Sequence, residues 1–173
     1  MAKRKILTDS DPTLRMISKP VTEITPRIRT LLDDMLETMR AADGVGLAGP
    51  QVGVLRRVVV VETEPEQPML LINPVIVSEE GEQEGGEGCL SLPGRSGCVR
   101  RPMKVTVRAL DVDGNEITVE GEGLTARCLC HEIDHLDGIL YVDKALYMNE
   151  PEEEEDEEPV HSVRKHKFLR KDK

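Results

Sequence analysis

Apolar positions in this chain follow a helical period first and then, over most of its length, an extended one. Ile28, Leu31, Leu32, Met35, Leu36 and Met39 recur at the spacing of one buried helix face. Thr25-Pro26 stands just before them. This predicts an N-cap followed by a first helical residue, because proline at that position gives up no intrahelical bond. Asp43-Gly44 comes after the periodic stretch, and residues 57–63 then read as a strand. Residues 69–76 read as a second strand, with Pro74 placing it at a sheet edge or a bulge. Residues 104–119 alternate around Asp113-Gly114, a hairpin signal. From Leu124 the pattern is helical again, between Gly123 and a terminating Gly138. Leu124, Cys128, His131 and His135 share one face of that helix, so its buried face and any chemical face should coincide. Residues 140–143 read as a short strand. The fold class is α+β: an early helix, antiparallel sheets, and a central helix packed between them.

The second helix carries chemistry. His131-Glu132-Ile133-Asp134-His135 is an H-E-x-x-H pentad. On a helix the two imidazoles, four residues apart, converge on one metal ion. Glu132 is rotated by about 100° from His131, well placed to take a proton from an attacking water and poorly placed as a third ligand. The plain alternative is two partly buried histidines on an amphipathic helix. A catalytic metal needs a third protein ligand. In metzincins the pentad continues to a further histidine, and here that position is Tyr141. Thermolysin-like enzymes use a glutamate further along. Glu154 and Glu155 fall near that distance, but in an acidic run that should be solvated and self-repelling. The remaining source lies upstream, where Cys89 is the candidate. A lone cysteine is usually a small buried hydrophobe, so its neighbours matter.

Those neighbours carry a family resemblance. Glu87-Gly88-Cys89-Leu90-Ser91 precedes the pentad by about forty residues, and Gly44-Val45-Gly46-Leu47-Ala48-Gly49-Pro50-Gln51 comes earlier still. The three motifs in this order resemble peptide deformylases over about residues 5 to 145. The resemblance implies a metal held by Cys89, His131 and His135, with Glu132 as general base and acid. It implies that Gln51 and the Leu90 backbone N–H stabilise the oxyanion, and that the peptide pairs with backbone near Val45, Gly46 and Gly88. The activity implied is hydrolysis of the N-formyl group from formyl-Met at the start of nascent polypeptides, releasing formate. The cofactor implied is one divalent ion, Fe(II) by the resemblance, while a thiolate with two imidazoles also suits Zn(II), Ni(II) or Co(II). An H-E-x-x-H metallo-endopeptidase and a non-catalytic binder of nascent chains are the alternatives. The chain departs from the family at Gly49, where alanine is usual, and at Cys130, where glutamine is usual. The first is expected to loosen the substrate-side loop, the second to alter hydrogen bonding near the metal.

Gly44-x-Gly46-x-x-Gly49 also matches a dinucleotide fingerprint, but that fingerprint needs a strand before it and a helix after it. Here the order is reversed, which excludes the nucleotide reading. Aromatic residues are only 2% of the chain, so aliphatic side chains and methionine must build the core. The four cysteines form no disulfide framework. No apolar run is long enough for a membrane span, and the polar opening is no secretory signal. A cytoplasmic enzyme is expected, with a monomer favoured. The net charge of −10 argues against binding free nucleic acid. Residues 150–158 hold eight acids, and residues 164–171 are strongly basic. The expected division is therefore a catalytic domain over 1–149 and a flexible tail over 150–173, whose basic end the resemblance connects with the ribosome.

Overall fold

The computed structural model describes residues 2–151. Helix α1 spans Pro26–Ala41, and the Thr25 side chain accepts from the Ile28 N–H at its start. Its apolar stripe, with Leu32, Met35 and Met39 fully buried, lies against strands β1 (Gly46–Ala48) and β2 (Val58–Val61). β2 consists of four valines, all fully buried, which suits β-branched residues on a pleated surface packed on both sides.

β3 (Met69–Glu80) is longer than expected and is internal, between β2 and β6 (Lys104–Leu110). Pro74 falls inside the register shift between Ile72 and Val75. It therefore sits at a bulge and not at an edge, and no ladder hydrogen bond is lost. β6 and β7 (Glu116–Glu122) form the expected hairpin, with pairing from Leu110↔Glu116 to Lys104↔Glu122. Its turn is longer than a two-residue loop. The Asp111 carboxylate accepts from the N–H groups of Asp113 and Asn115, and Gly114 has φ +82°. These strands make one antiparallel sheet in the order β1-β2-β3-β6-β7.

A second sheet has no counterpart in the sequence reading. It comprises β4 (Gln83–Cys89), β5 (Leu92–Arg101) and β8 (Ala145–Met148), in the order β4-β5-β8. β4 reads Gln-Glu-Gly-Gly-Glu-Gly-Cys, with little side chain to announce a strand. Residues 140–143 are not a strand. Tyr141–Asp143 form a short 3₁₀ turn, held by the Asp143 carboxylate accepting from the Leu140 N–H.

Helix α2 (Leu124–Leu136) packs against strands of both sheets, and Gly138 follows it at φ +72°. A Cβ at Gly138 would lie 2.5 Å from the Arg15 carbonyl oxygen, so both backbone conformation and close approach select glycine here. Ala126, Leu129, Ile133 and Leu136 turn toward the aliphatic core of the larger sheet. The buried and chemical faces coincide only from Cys128 onward. Leu124, at the first turn, is 57% exposed at the rim of the site.

Candidate active site

His131 and His135 lie one turn apart on α2, and Cys89 ends β4 opposite them. The two Nε2 atoms are 3.2 Å apart, and Cys89 Sγ is 3.4 Å from His135 Nε2. All three donor atoms lie within 4.8 Å of one another. Ligand atoms about 2.0–2.3 Å from a tetrahedral ion stand roughly 3.3–3.6 Å apart, so the donor set fits a divalent metal.

The surroundings support that fit. Glu87 accepts at 2.8 Å from His131 Nδ1. A carboxylate only accepts, so Nδ1 carries a proton, and Nε2 is the atom turned toward Cys89 and His135. Glu87 is itself held by Arg101, whose Nε and Nη2 each donate at 2.9 Å, and by Arg127 Nη1 at 2.6 Å. Arg101 also donates to Asp134 at 2.7 Å, tying the network back to α2. Burial works against the Glu87 charge, but hydrogen bonds from His131 and Arg101 bring its pKa down to about 2. Burial likewise opposes charge on His131, yet its bonds to Cys89 and Glu87 raise its pKa to about 10. Burial and the neighbouring His131 push His135 well below the usual histidine range.

Glu132, next to His131 on the same helix turn, lies against Gly46 of β1. It is 4% exposed, and burial raises its pKa to about 7, with His131 opposing. Its Oε2 has no hydrogen-bond partner among the described residues. A Cβ at Gly46 would meet Glu132 Oε1 at 2.6 Å and Cys128 Sγ at 2.8 Å, so only glycine lets β1 lie against this carboxylate.

A cavity of about 420 Å³ opens onto Glu132, His131 and Cys89. Val45, Gly46, Gly88, Leu90 and Gln51 all line it, whereas His135 sits behind its wall. Gln51, in the 3₁₀ turn Gly49–Val52, accepts from the Ala48 N–H at 3.0 Å. Its Nε2 thereby faces Ser91 Oγ at 3.1 Å and Cys89 Sγ at 3.5 Å. Leu90 turns the chain between β4 and β5, and its side chain fills the space a Cβ at Gly44 would take, at 2.7 Å. The residues of the three motifs thus come together here, while Glu154 and Glu155 lie outside the described residues.

Glu87, Arg101 and Arg127 were not expected as parts of the site. Glu87 lay inside the motif around Cys89, but with β4 unread as a strand nothing showed that its side chain would turn to His131. The arginines lie on β5 and α2 and gave no signal. Two expectations are corrected. Gly49 does not loosen its loop: it is buried, and a Cβ there would meet the carbonyl oxygens of Val54 and Arg56 at 2.7 Å. Cys130 does not face the ligands. It lies 4% exposed in the aliphatic cluster beneath the larger sheet, where burial raises its thiol pKa to about 11.

Comparison with known proteins agrees with this geometry. The family model described as Polypeptide deformylase matches residues 3–153. The chain is 59% identical over 146 residues to a peptide deformylase of Lachnoclostridium phytofermentans, covering 83% of this chain and 90% of that one. It is similar to the crystal structure of a peptide deformylase from Legionella pneumophila, with TM-score 0.80, 49% identity and coverage of 83% and 86%. A structure from Synechococcus elongatus in complex with actinonin superposes with TM-score 0.78 at 39% identity, covering 84% of each chain. Three motifs in family order, a thiolate–imidazole donor set and a match along nearly all described residues lead to one conclusion: the chain belongs to the peptide deformylase family, enzymes that remove the N-formyl group from nascent polypeptides.

Proposed function

We propose that this chain hydrolyses the formyl group from N-formylmethionyl peptides by means of Cys89, His131, His135, Glu132, Gln51 and Leu90. The observation that carries this reading is the convergence of Cys89 Sγ and two imidazole Nε2 atoms beside a buried, partnerless Glu132 oxygen at the wall of one cavity. A divalent ion held by Cys89, His131 and His135 would polarise the formyl carbonyl and acidify the attacking water. A thiolate with two imidazoles suits Fe(II), which we favour, and also Zn(II), Ni(II) or Co(II).

Glu132 takes the proton of the attacking water, and a pKa near 7 suits a group that must accept and then give back a proton near neutrality. As the new C–O bond forms, charge grows on the formyl oxygen. Gln51 Nε2 and the Leu90 N–H are the donors for it, the first oriented by its own contact to the Ala48 N–H. Glu132 then protonates the leaving nitrogen, the C–N bond breaks, and formate and a free amino terminus result.

The peptide binds extended between two strand edges. β1 and β4 each end a sheet. The Val45 carbonyl already accepts from the Glu62 N–H on the β2 side. By antiparallel alternation the polar groups of Gly46 face away from β2, open to a substrate backbone. Gly88, on the β4 side, supplies the opposing edge. No helix among the described residues is long and apolar enough to cross a membrane, and the cysteines are free. Both facts support a cytoplasmic location, where nascent chains are found. We take the chain to act as a monomer, to bind no nucleic acid by sequence, and to meet the ribosome through residues 164–171, which lie outside the described residues.

Incubation with a formyl-Met peptide, an acetyl-Met peptide and casein tests the activity. Formate should be released from the first only. Glu132→Gln should keep stoichiometric metal while the rate falls by about 10²–10⁴-fold. Cleavage of casein, or acetate release at a comparable rate, would overturn the reading.

A further inference from the structure

A second cavity, of about 820 Å³, shares no lining residue with the first. Its walls come from the segment before α1, the first turn of α1 and the loop after the 3₁₀ turn Gly49–Val52. Val21 and Leu31, both buried, give it an apolar floor. Lys19, Arg27 and Arg56 are exposed at its rim, facing one carboxylate, Glu23. Arg4 also contributes, but it is paired with Asp34.

Two features set these cations apart. Among the described residues, every arginine forms an ion pair except Arg27 and Arg56, and both line this cavity. The three cations also share a setting, and one of them stands against a local electrostatic preference. Lys19 and Arg56 are backbone partners in an isolated parallel β-bridge, which puts both residues on the same wall of the cavity. Arg27 lies in the first turn of α1, where the helix dipole disfavours a cation and no acid offsets it. Among the described residues, Glu23 is the one carboxylate lining this cavity.

We propose that this cavity binds a soluble phosphomonoester carried on an apolar body. The rim has three cations against one carboxylate, an excess of two positive charges, which matches the roughly −1.5 to −2 carried by a phosphomonoester at neutral pH. Arg27 and Arg56 grip the phosphoryl oxygens in the planar, forked manner of guanidinium groups. The aliphatic floor covers the organic part. No aromatic side chain lines the cavity, so there is no stacking platform for a base, which speaks against single-stranded nucleic acid.

Calorimetric titration of the full-length, metal-loaded protein with n-hexyl phosphate and with inorganic phosphate tests this. Saturable binding of one hexyl phosphate per chain is expected, with inorganic phosphate weaker because it leaves the floor uncovered. The double variant Arg27→Gln/Arg56→Gln should bind hexyl phosphate at least ten-fold more weakly while deformylating a formyl-Met peptide at an unchanged rate. The control double variant Arg29→Gln/Arg108→Gln carries the same change in net charge and should bind as the parent does. Absence of binding, or equal weakening in both double variants, would overturn the site. Co-sedimentation with phosphatidic-acid vesicles without binding of hexyl phosphate would assign the cations to a membrane surface and overturn the soluble ligand.

Discussion

The two sheets are built on opposite principles. The larger owes its form to aliphatic burial: β2 is four fully buried valines, and Leu71, Ile72, Val105 and Val107 continue the same core. The smaller has β4 as its edge, a strand of glycine, glutamate and one cysteine, anchored by Glu87 through two arginines and a histidine. Burial without direction serves for a scaffold. A ligand set needs direction, and hydrogen-bonded charges supply it at the cost of desolvation. The difference teaches that the chemistry sits where the chain is least hydrophobic, supported on the element that is most so.

That contrast breaks most sharply at Cys89. Cys89→Ala should lose metal and activity together, whereas Cys98→Ala, on the same sheet, should keep both. Metal content by elemental analysis decides this, and unchanged occupancy in Cys89→Ala would remove the ligand assignment. Metal affinity of the parent should also fall in acid, because the ligands must shed protons to bind.

On the scaffold side, Leu32→Ala removes a fully buried side chain of α1. It should cost about 2–5 kcal/mol in urea unfolding, with kcat per folded molecule unchanged. A large fall in kcat with intact stability would show that the scaffold and the site are not separable in this way.

Glu87→Gln sharpens the comparison. It leaves the shape of the side chain but removes the charge that orients His131, and metal affinity should drop about 10–100-fold. The pH dependence has a definite sign. The folded-state pKa of Glu87 is depressed to about 2 from an ordinary 4.5. Its contribution to stability is therefore present above pH 4.5 and is lost as pH falls from 4.5 toward 2. Acid unfolding followed by circular dichroism should show that limb in the parent and not in the variant.

The smallest effect is expected at the end of the chain. Asn149 is tied to Ser96 by backbone and side-chain hydrogen bonds. We therefore propose that the catalytic domain closes there, and a chain ending at Asn149 should fold, bind metal and deformylate a short peptide at near full rate. Loss of activity on truncation would move the boundary.

The sequence made one sheet legible and hid the other, for physical reasons. Periodicity reports burial, so α1, β2, β3, the β6–β7 hairpin and α2 were all readable, with their errors at the ends, and of the edge or bulge that Pro74 allowed it is the bulge that is found. β4 escaped because Gly85, Gly86 and Gly88 carry no side chain to show an alternation. The residues on the cavity wall were legible because their motifs are compact and resemble a known family. Arg101 and Arg127 were not, because an ion pair across two elements leaves no mark on either one. The departures at Gly49 and Cys130 were visible, but their consequences depended on packing that only the fold reveals.

Gly46 has a consequence for selection under an inhibitor. The strand edge we propose for the peptide and the carboxylate we propose as general base share one wall, and a single added methyl group at Gly46 would stand 2.6 Å from a Glu132 oxygen. On the role proposed for Glu132, a mutant seeking to escape a peptide-like drug by enlarging Gly46 would displace the group that carries the proton. Escape through a substitution at Gly46 is therefore expected to cost activity, whereas Leu124, 57% exposed at the rim, has room to change.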